Sequence, residues 1–166
     1  MPLGNRLDTG AYTYYSMLRV PIVFLLLLFV SGCEKNRQSL DDFQTTPLTL
    51  PGGQQIRVEV ATRQVDMMRG MMFRESLAPG HGMFFVHGSP GLYPYWMYQV
   101  RIPLDILWLD MNRQVVEISA NTPPCPSKSA KECPSFGGHK MAVYVLELPS
   151  GAAASFGISV GGAVKF

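Results

Sequence analysis

The chain has 166 residues, enough for one domain with a sizeable core plus a leader and too few for two such domains. Its net charge of +2 is spread over scattered Lys and Arg, which excludes the basic stripe that nucleic-acid binding requires. Charged residues make up 16% of the chain, below the usual share of about a quarter, and 16 Gly with 13 Pro set many turns between short elements. That composition leans towards β structure.

The first element is a targeting signal. Residues 20–30, VPIVFLLLLFV, form an apolar run that follows Arg19 and is too short to cross a bilayer, as the central region of a secretory signal requires. The polar stretch before it contains Asp8 and suits a signal poorly, so translation is expected to begin at Met17. The run ends in Val30-Ser31-Gly32-Cys33, which resembles a bacterial lipobox. The expectation is a signal peptide over residues 1–32 and a lipid on Cys33. Each buried CH₂ of an acyl chain contributes about 0.8 kcal/mol, so a multiply acylated Cys33 would tie the domain to a membrane without spanning it. The chain is therefore expected to be an extracytoplasmic lipoprotein, on the periplasmic side or the cell surface. Residues 33–47 read as the lipidated cysteine and a polar tether.

A single domain is expected over residues 48–166. Pro51-Gly52-Gly53 is turn chemistry between Leu48–Leu50 and Ile56–Ala61, which predicts a hairpin. Ile56, Val58 and Val60 share one face of its second strand, and Arg57 and Glu59 the other. Thr62 suits a helix N-cap, with Val65, Met68, Met71 and Met72 at helical spacing on one face and Gly70 loosening the turn. A strand is predicted at Met83–Val86, flanked by loops that hold His81 and His87. Next comes YPYWMYQVRIPLDILWLD, residues 93–110, with both tryptophans; Leu104–Leu109 reads as a buried strand around which the rest must pack. Gln114–Ala120 completes a hairpin with it, and Met141–Leu148 reads as a central strand. Ser150 is expected to cap a short helix through Phe156, and Ile158–Phe166 to return as a last strand broken at Gly161-Gly162. The fold class is mainly β, a compact sandwich or barrel-like domain with one or two short helices; α+β is the alternative.

Once Cys33 carries lipid, Cys125 and Cys133 remain as a lone pair, and an oxidising compartment points to a disulfide between them. Closing that loop of about nine residues contributes roughly 2–3 kcal/mol on the chain-entropy account. C-x₇-C is not a redox C-x-x-C, and the two thiols with only His139 nearby make an incomplete zinc set, so no metal and no cofactor are expected.

Five ordered blocks, RGMMFRESL, GMFFV, YWMYQVRIPLDILWLD, PPCPSKSAKECPSFG and YVLELPSG with a following FGISVGG, resemble the domain of unknown function 192 family from about Ile56 to Phe166. The resemblance implies a compact, mainly β domain with a small helical element, carries no established activity, and fits a lipoprotein anchor. Its characteristic positions fall here on Arg69, Gly70, Met72 and Arg74, on Gly82 and Met83, on Trp96, Met97, Pro103, Leu104 and Asp105, and on Cys125, Cys133, Pro134, Leu146 and Glu147. Where the family commonly reads Trp-Met-Lys-Asn-Thr, this chain has Trp96-Met97-Tyr98-Gln99-Val100, which alters any polar ligand contacts made there.

The sequence names no reaction. The favoured reading is a non-enzymatic envelope module that takes a small-molecule, glycan or protein ligand near Arg69, Arg74, Trp96 and Asp105, with one of the arginines against Asp105. Asp105 and Glu147 are carboxylates in apolar strands, and if they faced each other they could serve as a catalytic pair in a hydrolase acting on an envelope glycan. Met67, Met68, Met71 and Met72 could instead form a soft copper site.

Overall fold

The computed structural model describes residues 43–166. The expected signal, the lipid-bearing Cys33 and most of the tether lie outside the described residues.

The first two strands form the expected hairpin, β1 (Thr45–Thr49) and β2 (Gln55–Ala61), paired antiparallel from Thr45↔Glu59 to Thr49↔Gln55. Helix α1 (Gln64–Arg69) follows, and then β3 (His81–Gly91), which lies parallel to β2. A parallel neighbour needs a long crossover, and residues 62–80 supply it. β4 (Tyr95–Trp96), β5 (Leu104–Leu109), β6 (Val115–Thr122), β7 (Ser135–Phe136), β8 (Ala142–Pro149) and α2 (Ala152–Ser155) complete the described elements, with a 3₁₀ turn at Ala130–Glu132. The main sheet is six-stranded and mixed, in the order β1-β2-β3-β8-β5-β6, and β4 pairs with β7 in a small second sheet. The domain is mainly β, as composition and pattern suggested.

The three central strands alternate strictly, so register decides which side chains meet. Phe84, Leu146 and Leu107 sit abreast across β3, β8 and β5; the neighbouring rows are Phe85-Val145-Trp108 and Met83-Glu147-Ile106. The Phe84 row faces a core with Leu48, Ile56, Val58, Leu148, Ala153 and Val164. The other two rows face the opposite way, towards a second core built with Met71, Met97, Val100 and Leu104. Both faces are covered, which is why every residue of β5 is buried.

Trp108 anchors the second core. It is fully buried, its indole N–H donates to the Tyr93 carbonyl at 2.7 Å, and Tyr95 meets it edge-on. Gly137 lies flat against that ring. At φ +58 a Cβ would come within 2.2 Å of the indole, so Gly137→Ala must displace Trp108 while adopting a left-handed backbone. Overpacking and backbone strain together predict a loss of about 3 kcal/mol or more, measurable by urea unfolding. The Cys125–Cys133 disulfide is formed, and Cys125 packs at the border of the same core.

The structure corrects several local expectations. Thr62 does not cap α1: Arg63 holds the N-cap position without a side-chain cap bond, and its guanidinium instead grips Asp66 one turn on. Val65 and Met68 do not face the core but are each 61% exposed; Met67 packs against the second core, and Met71, beyond Gly70, is buried in it. The reversal is made possible by Gly70, whose φ of +44 swings the chain off the helix axis. β3 is longer than the apolar run Met83–Val86 and carries both His81 and His87. Ile158–Phe166 is not a strand. Thr49 bridges Lys165 and Gln114 bridges Ala163, so this segment is stitched to β1 on one side and to the start of β6 on the other. It touches both outer strands of the six-stranded sheet, at one bridge each.

Candidate functional site

On the second face a cavity of about 360 Å³ opens between α1, β3 and the β4 segment. Phe85, Tyr95, Trp96 and Tyr98 line it together with Met67, Met68 and Met72. Four polar side chains reach it: Gln64, Arg69, His87 and Glu147. Tyr95 stands edge-on to Phe85 at 5.2 Å between ring centroids, and Trp96, 39% exposed, leans on Tyr98 at the rim.

Glu147 is the unusual member. Strand alternation places it on the second face between Met83 and Ile106, in the middle of the central strand, where only 3% of its surface is exposed. Its Oε2 has no hydrogen-bond partner in the structure. Burial in this apolar row pushes its carboxyl up to about 8, against a smaller downward pull from the positive charge of Arg74. At neutral pH it is therefore mostly protonated, an O–H donor at the edge of an apolar cavity.

His87 and Tyr95 form a second polar unit. The imidazole stacks on Tyr93 at 3.7 Å, and its Nε2 lies 3.1 Å from the Tyr95 hydroxyl. Burial pushes the His87 pKa down, which favours the neutral ring. Burial likewise raises the Tyr95 phenol, and the nearby Glu147 carboxyl adds to the effect.

Of the residues expected to gather at a site, Arg69, Trp96 and Glu147 line this cavity, while Arg74 and Asp105 do not. Arg74 turns into a neighbouring polar cleft and makes a bidentate ion pair with Glu59 at 2.6 and 2.5 Å. Arg69 borders both hollows.

Asp105 faces the opposite side of the sheet. It is paired with Leu148, one register step from Glu147, so the two carboxylates point to different faces and do not form a catalytic pair. Its oxygens accept backbone N–H bonds from Asn121 and Ala153, both at 2.8 Å. No arginine lies against it in a salt bridge among the described residues. Asp105 is thus a structural bracket that holds the end of β6 and the first turn of α2 to β5. Ser150, expected to cap α2, donates instead to Asn121 Oδ1, and Gly151 occupies the N-cap position.

Sequence reasoning missed His87, Tyr95 and Gln64 as cavity residues. The density of aromatics at Tyr93–Tyr98 was the available signal. Tyr98 and Val100 both line the cavity.

Residues 47–166 match the model of the DUF192 family, described as an uncharacterized ACR. The chain belongs to the DUF192 family. Its DUF192 domain is also similar to a solved protein of unknown function from Novosphingobium aromaticivorans, with a TM-score of 0.69 and 30% identity over 77% of this chain and 89% of that one. A second solved structure, from Sinorhizobium meliloti and described as a "putative transcription regulator", gives a TM-score of 0.66 and 27% identity over 74% of this chain and 94% of that one. No curated protein matches the chain.

Proposed function

We propose that the DUF192 domain is a non-enzymatic binding module, held outside the cytoplasm by lipid on Cys33, that takes a small ligand in the cavity over Glu147. The observation that carries this reading is the buried Glu147 carboxyl, with one oxygen unsatisfied, at the edge of a cavity walled by aromatic rings and thioethers. An unsatisfied buried polar atom costs about 1–3 kcal/mol, and such a group at a concave apolar site is what a ligand with one matching polar atom would satisfy.

The test is occupancy of the cavity. The full chain is expected to bind the dye anilinonaphthalene sulfonate at one equivalent, and Met72→Trp, which fills the cavity, is expected to abolish binding while leaving the far-ultraviolet circular dichroism unchanged. Dye binding that survives in the folded Met72→Trp protein would refute the site. For the anchor, Cys33→Ser is expected to move the protein from the membrane fraction to the soluble one.

A copper-handling role is the second reading, because Met67, Met68, Met72 and the neutral His87 line the same space, and thioether and imidazole ligands suit Cu(I). Failure of the chain to take Cu(I) from a chelator would remove it.

A further inference from the structure

Resting on the binding reading above, we propose that the cavity takes an apolar alcohol, the ligand's uncharged hydroxyl paired with the Glu147 carboxyl and its hydrocarbon or aromatic body lying among the rings and thioethers.

One atom sets the polar end of the ligand. Among the described residues, Glu147 Oε2 is the one fully buried side-chain nitrogen or oxygen without a hydrogen-bond partner, and the residue borders the cavity. Its polar neighbours are already matched. His87 Nε2 lies 3.1 Å from the Tyr95 hydroxyl, and Arg74 holds both carboxylate oxygens of Glu59. A ligand with a single polar group is therefore enough to satisfy the site.

The kind of group follows from the carboxyl's own chemistry. A neutral carboxyl presents Oε2 as an O–H donor when the proton sits on that oxygen and as an acceptor when it sits on the other. A ketone or ester oxygen answers only the first state. A hydroxyl answers both, because it donates and accepts.

Charge of either sign is disfavoured at that end. Glu147 is the only acidic side chain among the described residues that line the cavity, and burial keeps its proton on at neutral pH. A ligand ammonium would have to remove that proton and leave a carboxylate enclosed between Met83 and Ile106. A ligand anion would need a cation at the same spot. The positive charge that pulls on Glu147 is that of Arg74, which Glu59 already offsets, and Arg69, although it borders the cavity, is not a free cation. Burial favours the neutral form of His87 as well. A buried charge without a partner costs far more than a buried hydroxyl that has one.

The rest of the lining sets the body. Four aromatic side chains and three thioethers surround a volume of about 360 Å³, near the lower end of the range for small-molecule sites. Such a lining matches a hydrocarbon chain or ring, and the flexible methionines let it close on more than one shape.

The experiment is calorimetric titration of the full chain near neutral pH with 1-hexanol, 2-hexanone, hexylamine and hexanoate. 1-Hexanol is expected to bind about tenfold or more tighter than either charged probe and about threefold tighter than the ketone. Glu147→Gln, whose amide both donates and accepts, is expected to keep 1-hexanol binding. Glu147→Met, which keeps the size of the side chain and removes its oxygens, is expected to weaken it about tenfold. Any other probe binding as tightly as 1-hexanol would overturn the assignment, and so would an unchanged 1-hexanol affinity in Glu147→Met. Silence from all four probes while the dye still occupies the cavity would overturn it too. If dye and probes all fail, the binding reading itself falls.

Discussion

Asp105→Ala is expected to destabilise the domain by on the order of 4 kcal/mol, although the side chain touches no part of the cavity. The fully buried carboxylate accepts the N–H groups of Asn121 and Ala153, the second inside the core and the first nearer the surface, and its removal leaves both donors without that partner. Each orphaned group costs about 1–3 kcal/mol. Asp105→Asn keeps one acceptor but points an amide N–H at a backbone N–H, so roughly half the loss is expected. Urea unfolding checks both: the midpoint should fall with an unchanged slope. A loss below about 1 kcal/mol for the alanine variant would mean that the carboxylate does not bracket α2 to the sheet.

Glu147 makes folding stability depend on pH in the direction opposite to that of a salt-bridged carboxylate. Burial raises its folded pKa to about 8, while in the unfolded chain it returns to the ordinary value of 4.5. Between those values the native state holds a proton that the unfolded chain has released, so the slope of unfolding free energy against pH is negative. The contribution is fully present below about pH 4.5, is lost progressively as pH rises to about 8, and is level beyond. The span corresponds to on the order of 5 kcal/mol. Unfolding midpoints measured across this window should fall for the native protein and stay flatter for Glu147→Gln. A midpoint rising with pH from 5 to about 8 would contradict the buried, unpaired state of this carboxyl. Glu147→Met should raise stability throughout, because an apolar side chain of similar size has no oxygen to leave unsatisfied. If the cavity serves a ligand, that variant gains stability and loses binding, the exchange expected where a site retains an unfavourable group for its use.

The strands were legible because burial leaves a period in sequence. IRVEVA alternates, and LDILWL is apolar enough that only a strand covered on both faces could hold it. Glu147 and Asp105 were both noticed as carboxylates among apolar neighbours, but their separation was not. That depends on β5 and β8 meeting with Ile106 rather than Asp105 opposite Glu147, a one-residue choice of register that sequence patterns do not resolve. The helix was misjudged for a different reason. Val65 and Met68 have core-like spacing, but α1 is only six residues long and turns Met67 to the core instead, so those two remain in solvent. His87 was placed in a loop because Gly88, Ser89 and Pro90 are turn residues; in the structure they prolong β3 through an irregular register with β8. The Cys125–Cys133 disulfide was legible from the cysteine count taken with the expectation of an oxidising compartment.

The bridges made by residues 163 and 165 have a consequence for how the domain behaves while it is being made. Until this segment has been synthesised and has docked between Thr49 and Gln114, β1 and β6 present rows of bare amides and carbonyls to any passing strand. From the completion of β6 until the last residues arrive, a nascent chain therefore carries two adhesive borders, each of which those few residues cover in part. Removing residues 161–166 should yield a chain that recruits copies of itself by strand addition, which light scattering of the truncated chain would register as growing aggregates.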